Sequence, residues 1–170
     1  MGAQEQGIDT AQQRYQVVPR TLLFVTHGDE VLLLKGAPDK RLWANRYNGI
    51  GGHVEQGETI HAAALRETAE ETGLDHLEDL RLCGIVTIDA GNPTLGILLF
   101  VFAASSPTRT VFPSQEGTPE WVDWHSLDPA NMVEDLPFIL PRVLAMQPGE
   151  APFYAHYWYD GSDTLQVTFG

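Results

Sequence analysis

Three glutamates, Glu67, Glu70 and Glu71, stand at positions i, i+3 and i+4 of a stretch rich in Ala, Leu, Glu and Arg. In a helix with about 3.6 residues per turn, this spacing places the three carboxylates on one face. Carboxylates crowded in this way repel one another, and a hard cation such as Mg²⁺, which also holds phosphate groups, would remove that repulsion. A solvated acidic face is the alternative explanation. The spacing alone therefore raises metal-dependent phosphate chemistry as a hypothesis.

The residues around the glutamates narrow this hypothesis. They fit the pattern G-x5-E-x7-R-E-U-x-E-E-x-G-U, where U is aliphatic, at seven fixed positions: Gly52, Glu58, Arg66, Glu67, Glu70, Glu71 and Gly73. This stretch resembles the signature of the Nudix hydrolases, which use Mg²⁺ or Mn²⁺ to hydrolyse a nucleoside diphosphate linked to another group. Thr68 departs from the pattern, because the family usually has an aliphatic residue there. We expect Thr68 to weaken local packing.

The resemblance implies a metal site and a catalytic water. Its metal ligands would be the side chains of Glu67, Glu70 and Glu71 and the backbone carbonyl of Gly51, with Glu58 binding a second metal through water. Arg66 would orient the carboxylates by ion pairing.

One catalytic carboxylate must also activate the attacking water. Glu67 is our first choice for this general base. In some family members a glutamate from a later loop takes this role, and Glu116 is the candidate for it here, as base and as metal ligand. The alternative is that Glu116 is an ordinary surface acid.

A cluster of basic residues precedes the signature: Lys35, Lys40, Arg41 and Arg46. A basic loop beside an acidic metal helix would hold phosphates from the other side. Lys35 is favoured for phosphate contact because it ends a predicted strand. A solvated polar loop is the alternative.

Beyond the signature, the chain from about residue 20 resembles the oxidised-purine nucleoside triphosphatases of the MutT group. In that group an Asn shortly before the signature binds the oxidised base, and Asn48 occupies its place. An acidic pair after a Trp-Pro contacts the purine edge there. Here Glu134 and Asp135 supply the acids in an ambiguous register, and Val133 replaces the Trp.

The missing Trp removes a stacking surface, which is worth about 0.5–1.5 kcal/mol beyond its buried area. Tyr47 or Phe100 could compensate, although Phe100 also suits the core. The resemblance implies hydrolysis of triphosphates such as 8-oxo-dGTP to the monophosphate and pyrophosphate. Asn48 has a simpler alternative as a turn residue before Gly49.

Other members of the family remain open as alternatives. Pro93 keeps an ADP-ribose hydrolase in consideration, and a dinucleoside polyphosphate hydrolase is a further option. A non-catalytic nucleotide-binding domain would typically lack carboxylates of the signature, and all of them are present here.

The elements that must position these residues begin with a helix predicted over residues 59–72, which ends before Gly73. Its face opposite the glutamates is expected to pack on a sheet through Ala62, Leu65, Ala69 and Thr72. A second helix is predicted from Pro137 to about Met146, with Pro141 at an interior position where a kink or a later start is possible.

Strands are predicted on both sides of these helices. Apolar runs at 21–25 and 31–35 flank a Gly/Asp turn and predict a hairpin. Further strands are predicted at 47–50, 81–89, 94–104 and 120–124, and a closing hairpin over 153–169 turns at Asp160-Gly161. We expect one α/β domain over residues 16–170 after a flexible tail over residues 1–15. The resemblance implies a Nudix fold, a mixed sheet sandwiched between helices.

Composition limits the partners. Ten Lys and Arg oppose 23 Asp and Glu, giving a net charge of −13, so neither nucleic acid nor an anionic membrane is an expected partner. One cysteine, Cys83, rules out a disulfide within the chain. The first residues lack the pattern of a signal peptide. We expect a cytoplasmic protein that binds a small nucleotide and has no obligatory protein partner.

Overall fold

The computed structural model describes residues 6–7, 14–40 and 42–170, and its first long feature is a hairpin. β1 (Gln16–His27) and β2 (Glu30–Gly36) pair antiparallel, with Val25 opposite Leu32. Gly28 in the turn has φ 60°, a conformation that glycine adopts without strain. The predicted hairpin is confirmed.

Eight strands form one mixed sheet. The remaining strands are β3 (Tyr47–Asn48), β4 (Glu78–Asp89), β5 (Leu95–Ser105), β6 (Gly117–Val122), β7 (Phe153–Tyr159) and β8 (Leu165–Phe169). Their order is β3-β2-β1-β5-β4-β7-β8, and β6 pairs with β2 off this path. The β1–β5 and β4–β7 pairs are parallel, and the other pairs are antiparallel.

Two helices, α1 (Ile60–Thr72) and α2 (Leu136–Ala145), cover opposite faces of this sheet. Alternate residues of β1 show the division, because side chains of a strand point alternately to its two faces. Leu22 and Phe24 lie in the core beneath α2, whereas Leu23 and Val25 lie in the core with α1. The sheet is sandwiched between helices, as expected.

The predicted packing face of α1 was wrong at three of its four residues, and only Thr72 is buried as predicted. Ala62, Leu65 and Ala69 are exposed, and the residues that face the sheet are Ala63, Ala64, Thr68, Glu71 and Thr72. Thr68 fits this buried face because its hydroxyl donates to the Ala64 carbonyl at 2.8 Å, which satisfies the polar group within the helix. The helix therefore turns part of its acidic stripe towards the protein.

Several other boundaries differ from the predictions; β1, for example, starts at Gln16 and not at residue 21. β6 starts at Gly117 and ends at Val122, and Trp124 begins a short 3₁₀ turn capped by Asp123. α2 continues through Pro141, held by buried Ile139, Leu140 and Val143. The closing hairpin turns over residues 160–164 because the Asp160 carboxylate accepts bonds from the Ser162 and Thr164 amides.

The predicted tail falls mostly on residues outside the described part of the chain. Tyr15, its last residue, donates to Asp89 at 2.8 Å. Among the described residues, no helix is both long and apolar enough to cross a membrane.

Candidate active site

A glycine-rich segment before α1 brings backbone against the acidic helix. Residues 50–54 run antiparallel to β1, where the Leu23 amide donates to Ile50 at 2.7 Å and the Thr21 amide to Gly52 at 2.9 Å. Gly51 has φ 150°, and a Cβ there would lie 2.1 Å from the Thr21 carbonyl oxygen. A Cβ on Gly52 would lie 2.5 Å from Glu67 Oε1. The missing side chain at Gly51 lets the segment lie against β1, and the missing side chain at Gly52 lets the Glu67 carboxylate approach the segment.

α1 begins and ends at residues that fix its register beside this segment. Thr59 caps the first turn by accepting from the Ala62 amide at 3.1 Å. Gly73 ends the helix with φ 78°, and its amide donates to the Ala69 carbonyl. These two caps are the local reason why the glutamates fall where they do.

Arg66 connects the acidic residues of this region. Its guanidinium donates to Glu58 at 3.1 and 2.7 Å, to Glu67 at 2.9 Å and to Glu70 at 3.2 Å. It also donates to the His53 carbonyl at 3.0 Å. Arg66 and the Glu55 amide together lower the pKa of Glu58. The network holds three carboxylates in place from one planar group.

Glu71 is the buried member of the glutamates, with 6% of its surface exposed. Burial raises the pKa of Glu71 to about 7. The Gly51 amide, which donates to Glu71 Oε2 at 3.0 Å, acts in the opposite direction and lowers the pKa. The charges of Glu67 and Glu116 raise the pKa further, and Lys40 opposes them. A buried carboxylate under this repulsion is stabilised by a nearby cation.

The donors at this site suit a hard cation. Within the described ranges no three acidic, His or Cys side chains already form a cation site. Glu67 and Glu70 bond to Arg66, and Glu71 to the Gly51 amide. The atoms that could bind a cation are nevertheless all oxygens, the ligands that Mg²⁺ and Mn²⁺ prefer. The negative charge of buried Glu71 is also not fully compensated by its neighbours. The residues present therefore fit a divalent metal once Glu67 and Glu70 turn from Arg66.

A cleft of about 1010 Å³ joins this region to a second group of polar residues. Its lining includes eight of the candidate residues: Asn48, Gly51, Glu67, Glu70, Glu71, Glu116, Glu134 and Asp135. Aliphatic side chains such as Leu22, Ile97 and Leu99 lie between the polar groups. We call the part with the α1 glutamates the carboxylate end and the part with Asn48, Glu134 and Asp135 the base end.

Four of the candidate residues do not line the cleft: Lys35, Tyr47, Glu58 and Arg66. Tyr47 donates to Glu120 at 2.5 Å, and Lys35 Nζ lies 5.5 Å from the centre of the Tyr47 ring. Phe100, the other aromatic considered for stacking, is also absent from the lining.

Of the remaining basic residues, Lys40 contacts a residue of the cleft lining, whereas Arg46 contacts a backbone carbonyl outside it. Lys40 forms an ion pair with Glu116, which lines the cleft. Arg46 donates to the Met132 carbonyl at 3.4 Å. Arg41 falls outside the described residues.

The groups of the base end differ in their environments. Asn48 Oδ1 accepts from the Gly49 amide at 2.8 Å, which is the bond expected of a turn residue, while the side chain also lines the cleft. Glu134 is exposed and accepts from the Tyr159 hydroxyl at 3.3 Å. Burial and the charge of Glu134 raise the pKa of Asp135, which starts α2 without a side-chain cap bond.

Sequence reasoning missed several lining residues that carry functional groups, among them Arg20, Trp43 and Tyr159. Arg20 has a buried Nε without a partner among the described residues, and Trp43 and Tyr159 provide exposed rings. No local pattern marks them, because their places in the cleft depend on strand pairing and a loop.

Comparisons with known proteins support a common family. A model of the NUDIX domain matches residues 16–146. The chain is 31% identical over 146 residues to the oxidized purine nucleoside triphosphate hydrolase of Mus musculus, covering 85% of this chain and 88% of that protein. It is 32% identical over 111 residues to the NAD-capped RNA hydrolase NudC of Pseudomonas aeruginosa, covering 65% and 36%. A solved MutT protein from Bacillus halodurans superposes with TM-score 0.74 at 25% identity, covering 90% of this chain and 97% of that one.

Proposed function

Because the chain belongs to the Nudix hydrolase family, we propose that it cleaves oxidised purine nucleoside triphosphates such as 8-oxo-dGTP to the monophosphate and pyrophosphate. One observation carries this proposal: a single cleft has the α1 glutamates at one end and Asn48, Glu134 and Asp135 at the other. A nucleotide has the matching division into phosphates and base. The mouse relative, named for oxidized purine substrates, supports the same choice.

Nudix hydrolases use divalent metal ions. For this chain we propose Mg²⁺ or Mn²⁺, held by the candidate ligands Gly51 (through its carbonyl), Glu58 (through water), Glu67, Glu70, Glu71 and Glu116. When bound, the metal neutralises phosphate charge and acidifies water.

The side chains of the carboxylate end divide the remaining work. Glu67, partly buried beside Gly52, accepts the proton of the attacking water, and Glu116 is the alternative base. Arg66 acts as a positioning residue through its bonds to Glu58, Glu67 and Glu70. This is the orienting role that the resemblance implies for Arg66.

For phosphate contact we propose Lys40 and not Lys35, which the sequence favoured. Lys40 forms an ion pair with Glu116, which lines the cleft. A triphosphate that enters the cleft can replace Glu116 as the partner of Lys40. Neither lysine lines the cleft itself, but Lys40 contacts it through Glu116, whereas Lys35 contacts Tyr47, which is also outside the lining. We therefore propose no direct substrate contact for Lys35 and Tyr47.

A substrate panel tests the proposal: 8-oxo-dGTP, 2-oxo-dATP, dGTP, Ap4A and ADP-ribose, each with Mg²⁺ and with EDTA. We expect the highest kcat/KM for an oxidised purine triphosphate, release of pyrophosphate, and no turnover in EDTA. Preference for ADP-ribose or Ap4A would assign the enzyme to another substrate class in the family. Binding without turnover of any compound would contradict the proposed hydrolysis.

A further inference from the structure

The base end lacks the stacking surface that was expected of a purine-binding site. Val133 stands where the similar triphosphatases have Trp, and it is buried, with 2% of its surface exposed. Neither Tyr47 nor Phe100 lines the cleft. A base held only by aliphatic walls and hydrogen bonds would lose the attraction between π-faces.

Tyr159 is an aromatic residue of the cleft lining that contacts one of the acids of the base end. It lines the same cleft, is 42% exposed, and its hydroxyl donates to Glu134 Oε2 at 3.3 Å. The ring is thus tied to the acidic pair and still open to a ligand. Trp43 also lines the cleft, but its loop contacts Gly36, next to the Glu116 loop and the carboxylate end.

The end of β7 holds the Tyr159 ring in position. Tyr159 pairs with Leu165 across the closing hairpin. The next residue, Asp160, accepts bonds from the amides of Ser162 and Thr164 at 2.9 and 3.1 Å and from Gln166 at 2.8 Å. Because hydrogen bonds hold the turn next to Tyr159, the ring loses little further conformational entropy when a base stacks on it.

The same hydrogen bond separates the two acids. Glu134 is exposed and bonded to Tyr159, whereas Asp135 is less exposed and has no side-chain partner among the described residues. A carboxyl whose hydrogen bond comes from its own backbone amide, and not from another side chain, gains more from a ligand donor or acceptor than one already paired. This difference favours Asp135 over Glu134 as the acid that contacts a base.

We propose that Tyr159 determines base specificity: its ring is the surface on which the purine stacks, and its hydroxyl holds Glu134 at the rim so that Asp135 contacts the base edge. This inference rests on the proposed function and names the group that replaces the missing Trp. A purine overlaps the ring more than a pyrimidine does, so Tyr159 favours purine triphosphates.

Two substitutions separate the ring from the hydroxyl. Tyr159→Leu removes the stacking surface and should lower kcat/KM for 8-oxo-dGTP about tenfold, but for dCTP less than about threefold. Tyr159→Phe keeps the ring and should lower kcat/KM for 8-oxo-dGTP less than about threefold. The loss in Tyr159→Leu should appear in KM, since stacking stabilises bound substrate and transition state alike.

Tyr154→Leu is the matched control, because Tyr154 lies on the same strand, is 61% exposed and does not line the cleft. Glu134→Gln should have a small effect, and Asp135→Ala a large one, on 8-oxo-dGTP alone. Melting temperatures of all variants without nucleotide establish that they fold.

The outcomes distinguish this inference from the proposed function. If the wild-type enzyme does not prefer purine triphosphates, the proposed function fails. If it does and Asp135→Ala removes the preference, but folded Tyr159→Leu behaves like Tyr154→Leu, then the role of Tyr159 is overturned. Equal losses in Tyr159→Phe and Tyr159→Leu would likewise overturn it, since the ring would then contribute nothing.

Discussion

The two ends of the cleft are built in different ways. At the carboxylate end, residues 51–71 supply most of the charged groups, and the guanidinium of Arg66 holds Glu58, Glu67 and Glu70. At the base end, the groups come from β3, from the residues before α2 and from the end of β7. The first end is a local network of charges, and the second is assembled by the sheet.

This difference has a chemical consequence. A charge network with shared partners transmits a change at one residue to the others, so substitutions there should affect every substrate. The groups at the base end have mostly separate partners, so substitutions there should change the choice of substrate. Catalysis and selectivity should therefore be separable by mutation.

The largest effect is expected from Glu71→Gln. The substitution removes the charge of a buried carboxylate that we propose as a metal ligand, and we expect kcat to fall at least about 10²-fold for all substrates alike. Glu150→Gln, at an exposed acid that does not line the cleft, is the control. A folded Glu71→Gln enzyme with a near-native rate would show that the acidic face is only solvated.

Gly52→Ala should have the next largest effect at the same end. The new Cβ would lie 2.5 Å from Glu67 Oε1, so the carboxylate must move. Misplacement on this scale lowers rates by about tenfold to 10²-fold, and again without regard to the base. Gly161→Ala, where a Cβ meets no heavy atom within 4 Å, is the control. Unchanged steady-state kinetics would show that Glu67 takes no part in the reaction.

Asn48→Ala tests the base end. Loss of one buried hydrogen bond costs about 1–3 kcal/mol, which is about fivefold to 150-fold in kcat/KM for 8-oxo-dGTP, with little change for dCTP. Asn131→Ala, on an exposed turn, controls for nonspecific effects. A uniform loss across substrates would identify Asn48 as the turn residue suggested by its bond to the Gly49 amide.

A smaller, pH-dependent effect is expected for Asp135. Burial raises the pKa of Asp135 above 3.8, so this carboxyl stays protonated to a higher pH in the folded state than in the unfolded state. Its contribution to stability therefore falls as pH rises above 3.8. Asp135→Asn should raise the Tm at neutral pH in EDTA, and this gain should shrink as pH falls. A gain independent of pH would contradict the raised pKa.

Local signals predicted the carboxylate end well. Thr59 and Gly73 cap α1 as their residue types suggest, and the hairpin of β1 and β2 follows from its apolar runs and turn. The spacing of the glutamates and Arg66 is a property of one helix. Such features depend on neighbours in the sequence, so they could be read before the fold was known.

The packing face of α1 could not be read in the same way. Apolar periodicity favoured Leu65, which is 37% exposed, over Glu71, which is 6% exposed. The sheet accepts Glu71 because the Gly51 amide, on a separate segment, donates to it. A helix that buries a functional carboxylate violates the pattern on which the prediction relied.

The aromatic side chain of the base end was missed for a related reason. Tyr159 meets Glu134, 25 positions away, only after β7 has paired with β4 and β8. Tyr47, nearer to Asn48 in the sequence, instead bonds to Glu120 of β6. Contacts of this kind depend on sheet order, which no local pattern determines.

The ratio of kcat/KM for 8-oxo-dGTP to that for dCTP tests the separation of the two ends most directly. It should be measured for the wild-type enzyme, Glu71→Gln and Asp135→Ala under the same Mg²⁺ concentration. We predict that Glu71→Gln lowers both rates and leaves the ratio unchanged, whereas Asp135→Ala lowers the ratio by about tenfold. A ratio that falls equally in both variants, or in neither, would contradict the account.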